Sequence, residues 1–163
     1  MDNLFAPAVG EWQRVSPRLA TVRRILLSSA AAVVVLVGVV LVLVLPDLWW
    51  IGTPVAVIGL AGGVWGWTWA GRNQRSWGYA ENADDLLVTR GVMFKRLVAI
   101  PYGRMQFVDV EAGPLDRAYG IATVTLHTAS SETAADIPGL PAEEATRLRN
   151  RLTELGESRG AGL

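Results

Sequence analysis

Apolar residues fill most of the first half of the chain in two unbroken runs. Ile25 to Leu45 carries no charge, and after Pro46 and Asp47 a second uncharged run extends from Leu48 to Ala70. At ~1.5 Å per residue, either run is long enough as a helix to cross a ~30 Å hydrocarbon core. The pattern predicts a transmembrane helical hairpin, 25–45 and 48–70, behind an N-terminal segment of residues 1–24. A chain of 163 residues has no room to enclose two such helices on every side. A signal peptide would be shorter and would not be followed at once by a second span. Ser16-Pro17 reads as an N-cap with Pro at the first helical position, so helix one begins near Pro17. Small residues recur along helix two at Gly52, Ala56, Gly59, Gly63, Gly66 and Ala70. Such a stripe lets two helix backbones approach closely in lipid. Its partner is either helix one, through Ala31, Val35, Gly38 and Val42, or another chain.

From Trp77 onward the pattern shortens to strand-like segments. Trp77–Glu81, Leu86–Thr89, Val92–Ile100, Arg104–Glu111, Ile121–Thr128 and Ala134–Ile137 read as strands. Asn82–Asp85, Arg90-Gly91, Pro101–Gly103 and Ala129–Thr133 read as turns, and Pro138-Gly139 as the end of the last strand. Within Arg104–Glu111 the apolar parity changes between Phe107 and Val108, which predicts a bulge or twist. Leu115–Tyr119 is a short element. A helix takes Pro141 in its first turn, with Glu143 and Glu144 at its positive end and an apolar stripe of Ala145, Leu148, Leu152 and Leu155. Glu143 and Arg147 form an i,i+4 pair. Gly156 is read as its stop, with residues 157–163 as a disordered tail. The pattern yields about six strands in hairpin order and a terminal helix, a domain over 76–156.

Charge orients the hairpin. The chain has 15 basic and 15 acidic residues, but they are unevenly placed. Residues 1–75 hold six Arg against three acids, and residues 76–163 hold nine basic residues against twelve acids. All six early arginines flank the outer ends of the hairpin, while its turn carries only Asp47. Positive flanks stay in the cytoplasm, so both termini are expected there. Trp49 and Trp50 at the turn, and Trp65, Trp67, Trp69 and Trp77 at the exit, mark the two interfaces. Neither span contains a charge or amide, which favours an anchor over an ion path.

Chemistry is sparse. The chain has no Cys, which excludes disulfides, thiolate metal sites and Cys nucleophiles. His127 is the single His and falls on the polar face of its strand, a poor start for a metal site or a general base. Asp84-Asp85 lies in a turn. No phosphate loop, nucleophile elbow or metal spacing is present. The expectation is a protein with no catalytic residue, metal, cofactor or small-molecule substrate. The acidic balance of the second half argues against nucleic acid.

Ile100-Pro101, Arg104-Met105-Gln106, Val108, Gly113-Pro114-Leu115, Tyr119-Gly120-Ile121-Ala122-Thr123-Val124 and Thr128-Ala129-Ser130 together form a recognisable series. In order and spacing it resembles bacterial pleckstrin-homology-like domains of the YdbS type. The hairpin with its Trp, Ser-Pro and arginine flank is similar too, so the resemblance covers roughly Trp12 to Leu155. It implies a membrane α-helical hairpin plus an α+β pleckstrin-homology-like domain: a bent antiparallel sheet or partial barrel with a C-terminal helix. Pro101, Arg104, Gln106, Gly113, Pro114, Leu115, Gly120, Thr123 and Thr128 then carry a structural or interaction role. Gly113 and Gly120 suit unusual backbone angles. Arg104 and Gln106 either bond neighbouring loops or form a polar binding surface. A pleckstrin-homology-like fold invites lipid-headgroup binding, for which Arg90, Lys95 and Arg96 are the candidates. The reading is a multi-pass protein of the bacterial cell membrane whose cytoplasmic domain binds a protein partner or a second copy. An anionic-lipid sensor and an accessory subunit of a larger membrane complex are the alternatives.

Overall fold

Arg18–Val44 forms helix α1 and Trp49–Ser76 forms helix α2, joined by a 3-10 turn at Pro46–Leu48. Both helices are longer than the uncharged runs, because helical propagation continues into the arginine-bearing flanks. The structure, a computed structural model, describes residues 12–128 and 134–160. The expected turn at 129–133, with Ala129 and Ser130 of the motif, lies outside those residues, as does the end of the tail at 161–163. The described residues divide into two compact units. One is Ala20–Arg72; the other gathers the residues up to Leu19 and from Asn73 onward.

In the helical unit α1 and α2 pack as a hairpin of small residues. A Cβ placed on Gly38 would lie 2.5 Å from the Ala56 backbone nitrogen, and one on Gly59 would lie 2.8 Å from Val35 Cγ2. Gly52 faces Val42, Gly63 faces Ala31 and Gly66 faces Leu27. The outward faces stay apolar: Leu36, Val40, Leu43, Ile58, Leu60 and Val64 are exposed. A soluble core helix would bury such residues, whereas lipid requires no such burial. At the outer end the Arg24 guanidinium lies 4.9 Å from the Trp67 ring centre, and that of Arg23 lies 6.0 Å from the Trp69 ring centre.

The second unit holds two antiparallel sheets and a terminal helix. Strands β1 (Gln13–Arg14), β2 (Gly78–Glu81), β3 (Asp85–Arg90) and β4 (Arg96–Pro101) form the first sheet in that order. Strands β5 (Met105–Glu111), β6 (Ile121–Thr128) and β7 (Ala135–Pro141) form the second. A 3-10 turn at Tyr102–Arg104 links the sheets, and a short helix α3 (Pro114–Ala118) joins β5 to β6. Helix α4 (Ala142–Gly160) buries Ala145, Leu148 and Leu152 among Leu86, Ile100, Tyr102, Val124, Leu126 and Ile137 of the core.

Four features differ from the sequence pattern. β1 was not anticipated: two polar residues carry no periodicity, and the strand is held by pairing Gln13 with Tyr79 and Arg14 with Gly78. The strand expected from Val92 begins at Arg96, since Gly91 at φ +112° opens a loop of residues 91–95. β7 runs through Pro138-Gly139 to Pro141, because Gly139 at φ +73° absorbs a register shift opposite Ala122–Val124. Gly156 does not stop α4, which continues to Gly160 and so includes part of the expected tail. A mid-helix Gly costs only about 1 kcal/mol. Arg159 beyond it fastens the helix end, 2.7 Å from the Asp84 carboxylate and 2.6 Å from the Ala83 carbonyl.

Candidate functional site

β5 is one edge of the second sheet, paired on one side with β6, and β7 is the other. Its register explains its surface. Val108 lies opposite Leu126 and Val110 opposite Val124, facing the core, so Phe107 and Asp109 face outward with His127 and Thr125. The parity change reverses at a register shift between Met105 and Phe107, which places Gln106 at the irregularity. Phe107 is 56% exposed and stacks on His127, ring centres 4.1 Å apart at 14°. His127 is therefore a half-buried stacking partner. At the start of β5 a groove of about 480 Å³ opens beside α4, lined by Met105, Gln106, Phe107, Val108, Leu152 and Gly156 among others. An unpaired strand edge with adjacent apolar side chains can take an added strand. Part of this edge is blunted: the Val110 N–H donates to the Asp109 carboxylate at 2.8 Å.

The structure divides the motif residues between the two ends of the β5–β6 hairpin. Arg104, Gln106 and Thr128 share one end, where Met105 pairs with Thr128. Arg104 is exposed in the 3-10 turn and Gln106 lines the groove. Gly113, Pro114, Leu115, Gly120 and Thr123 share the other end, where Glu111 pairs with Thr123. Gly113 holds an ordinary φ of −66° at the start of α3 and donates its N–H to Asp116 at 3.2 Å. Gly120, at φ +64°, is the position that needs a glycine. Its carbonyl accepts the Ala142 N–H at 3.2 Å, which seats the start of α4. Pro101 ends β4 opposite Asp85.

One polar cluster holds α4 to the first sheet, and a second ties the 3-10 turn at Tyr102–Arg104 to the turn after β2. The Tyr79 hydroxyl donates to Glu144 at 2.8 Å, and Arg147 spans Glu144 at 2.6 Å and Glu81 at 2.5 Å. Arg147 thus pairs with Glu144 and Glu81, the residues within reach of its side chain, and not with Glu143. The Arg147 hydrogen bond holds the Glu144 carboxyl below its usual range, and burial pushes the Tyr79 hydroxyl up. Tyr102 donates to the Asn82 carbonyl at 2.9 Å, and burial pushes its hydroxyl up to about 12. Both clusters tie elements together, and neither lines the groove beside β5. Among the described residues no group of three or more His, Asp or Glu side chains converges on one point.

The candidate basic residues converge at the β3–β4 hairpin. Arg90 pairs in register with Arg96, and Lys95 precedes it. Met93 and Phe94, which a continuous strand would have placed in the sheet, stand at its tip. Sequence reasoning missed them because Val and Phe are good strand formers; Gly91 was the available signal.

The model of the bacterial PH domain family matches residues 19–156. The chain is 37% identical over 79 residues to the UPF0699 transmembrane protein YdbS of Bacillus subtilis (strain 168). That match covers 48% of this chain and 48% of the relative, so the chain spans about half the length of the protein it matches. No solved structure matches the chain. This similarity and the two long apolar helices support a membrane location.

Proposed function

The chain belongs to the bacterial PH domain family, and from that premise we propose that it is a non-catalytic interaction module anchored in the cell membrane. Residues 25–70 are the anchor, and the domain over 76–156, completed by the segment ahead of α1, is the working part. It takes a protein partner, or a second copy, along the β5 edge and the groove beside α4. The observation that carries this reading is Phe107: a large side chain held outward on an edge strand, next to a groove of mixed lining in which Met105, Val108 and Leu152 sit beside Gln106, Thr153 and Glu157. The polar side chains near it, Gln106, Asp109 and the His127 stacked on its ring, offer hydrogen bonds.

Both termini lie in the cytoplasm in this reading. Two features support it. The arginines flank the outer ends of the hairpin and not its turn. The residues on either side of Ala20–Arg72 also belong to one folded unit, so the number of crossings between them is even.

Capture from native membranes tests the partner reading. The intact chain should retain one stoichiometric partner, or itself, in mild detergent. Phe107→Lys and Val108→Pro, which charge the groove and break the edge, should each lower recovery about tenfold, a loss of about 1.4 kcal/mol. Unchanged recovery with both variants would remove β5 from the proposal.

A further inference from the structure

β5 is charged at both ends, with opposite signs. Arg104 is exposed just before the strand and Glu111 is exposed at its end. Among the described residues neither makes an ion pair. The inward face of the strand is incompletely covered. Val108 and Val110 are half-buried, although Leu126 and Val124 opposite them on β6 are fully buried. Free backbone groups are confined to one place. The Val110 N–H donates to the Asp109 carboxylate and so is not given to β6. Alternate residues of an antiparallel ladder point the same way, so the N–H and C=O of Val108 also face away from β6. The Val110 N–H is already bonded, and the register is irregular between Met105 and Phe107. Val108 is therefore the centre of the stretch that can pair.

We propose that β5 pairs antiparallel with β5 of a second copy, about a twofold axis at Val108. The inference rests on the reading of β5 as a docking edge and names its occupant. The two Val108 residues exchange a pair of backbone hydrogen bonds, and Phe107 of each copy lies opposite Asp109 of the other. Arg104 of each copy comes beside the Glu111 end of the other. A twofold interface uses the same patch twice, so an edge with a base at one end and an acid at the other is its own complement. A parallel approach would set like charges together. The two Phe107 rings become diagonal neighbours, a separation that aromatic side chains bridge. Two three-stranded sheets join into one of six strands. A single strand pair buries less than the about 800 Å² per partner of a stable soluble interface. Copies held in one membrane meet at high effective concentration, which lowers the affinity required.

The chain has no Cys, so one introduced thiol reports the register. In the full chain in native membranes, Val108→Cys should form a disulfide-linked dimer under mild oxidation. Directly opposed residues on antiparallel strands have Cα atoms ~5.5 Å apart, within disulfide reach. The substitution keeps the side chain small and apolar. Val110→Cys lies ~13 Å along the strand from its own counterpart and should cross-link about tenfold less. In the Val108→Cys chain, Arg104→Glu or Glu111→Arg should each lower the dimer roughly threefold or more, and both together should restore it. Equal cross-linking at 108 and 110 overturns the pairing. So does the absence of a Val108→Cys dimer. In that case, a different protein captured from the same membranes and released by Val108→Pro would keep the docking reading, whereas no captured protein at all would remove both. Charge variants without effect, or a double variant that does not restore the dimer, overturn the role of the two charged ends.

Discussion

Gly139 and Gly156 are both glycines inside regular elements, and the structure assigns them opposite consequences. Gly139 holds φ +73°, and a Cβ there would lie 2.6 Å from Leu19 Cβ. Its carbonyl also accepts the Ser16 N–H at 2.9 Å. Gly139→Ala should therefore destabilise the domain by about 1–3 kcal/mol, from strain and overlap together. Gly156 sits within α4, and a Cβ would meet nothing closer than the Tyr102 carbonyl at 3.8 Å. Gly156→Ala should stabilise by up to ~1 kcal/mol. Chemical denaturation of the full chain in detergent measures both. Glu144 supplies a pH dependence. Its carboxyl titrates below the usual glutamate range, chiefly through the Arg147 hydrogen bond. The unfolded chain thus binds its proton first as pH falls, so its contribution is complete above the unfolded value of about 4.3 and is lost as pH falls from there through the lower folded value. Glu144→Gln should melt lower than the parent at neutral pH, and the gap should close in acid. A gap constant down to pH 3 would count against this pairing. At this scale the sequence is only partly legible. Gly120 announces a turn because only glycine sits comfortably at its φ. Arg147 hides its partner because Glu81 is distant in sequence and no local rule names it.

Elements built from long patterns were the easiest to read. α1 and α2 follow from uncharged runs, and the stripe of α4 from its 3, 4 spacing. The cap was also readable, and Ser16 Oγ accepts the Arg18 N–H at 3.3 Å. β1 was unreadable because its two residues are defined by what they pair with. β7 was cut short because Pro and Gly break strands in general, and only the register shift shows why they do not here. The hairpin of α1 and α2 makes a prediction at this level. Gly38→Val should force the helices apart, since even a Cβ would lie 2.5 Å from the Ala56 nitrogen, whereas Gly62 has nothing within 4 Å. Close van der Waals approach is what holds helices together in lipid. Melting in detergent should fall by several degrees for Gly38→Val and stay within a degree for Gly62→Val. Equal effects would argue against this packing.

For the whole molecule, the hydrophobic pattern located the anchor and the domain but not how they are joined. The domain is not appended after the hairpin; the hairpin interrupts it. Val15, Ser16, Arg18 and Leu19 are bound to residues in the last turn of α2 or beyond it: the Gln74 side chain donates to the Val15 carbonyl at 2.8 Å, and Arg18 to the Tyr119 carbonyl at 3.2 Å. No periodicity could disclose this, because each contact crosses more than fifty residues. A fusion of alkaline phosphatase after Leu163 should be inactive and a cytoplasmic reporter there active; the reverse would invert the proposed orientation. In the proposed two-span topology, the interruption also dictates an order of events during synthesis. Ser16 leaves the ribosome long before Gly139 exists, and at ~5–20 residues per second the wait is roughly 6–25 s. During that time both helices must be handed to the membrane while the leading strand stays unpaired. The domain closes only if the hairpin has returned the chain to the side where it started. A copy in which one helix fails to insert strands β1 across the bilayer from β2. Its soluble half then stays open and exposed to proteases, so completing the sheet reports on correct insertion.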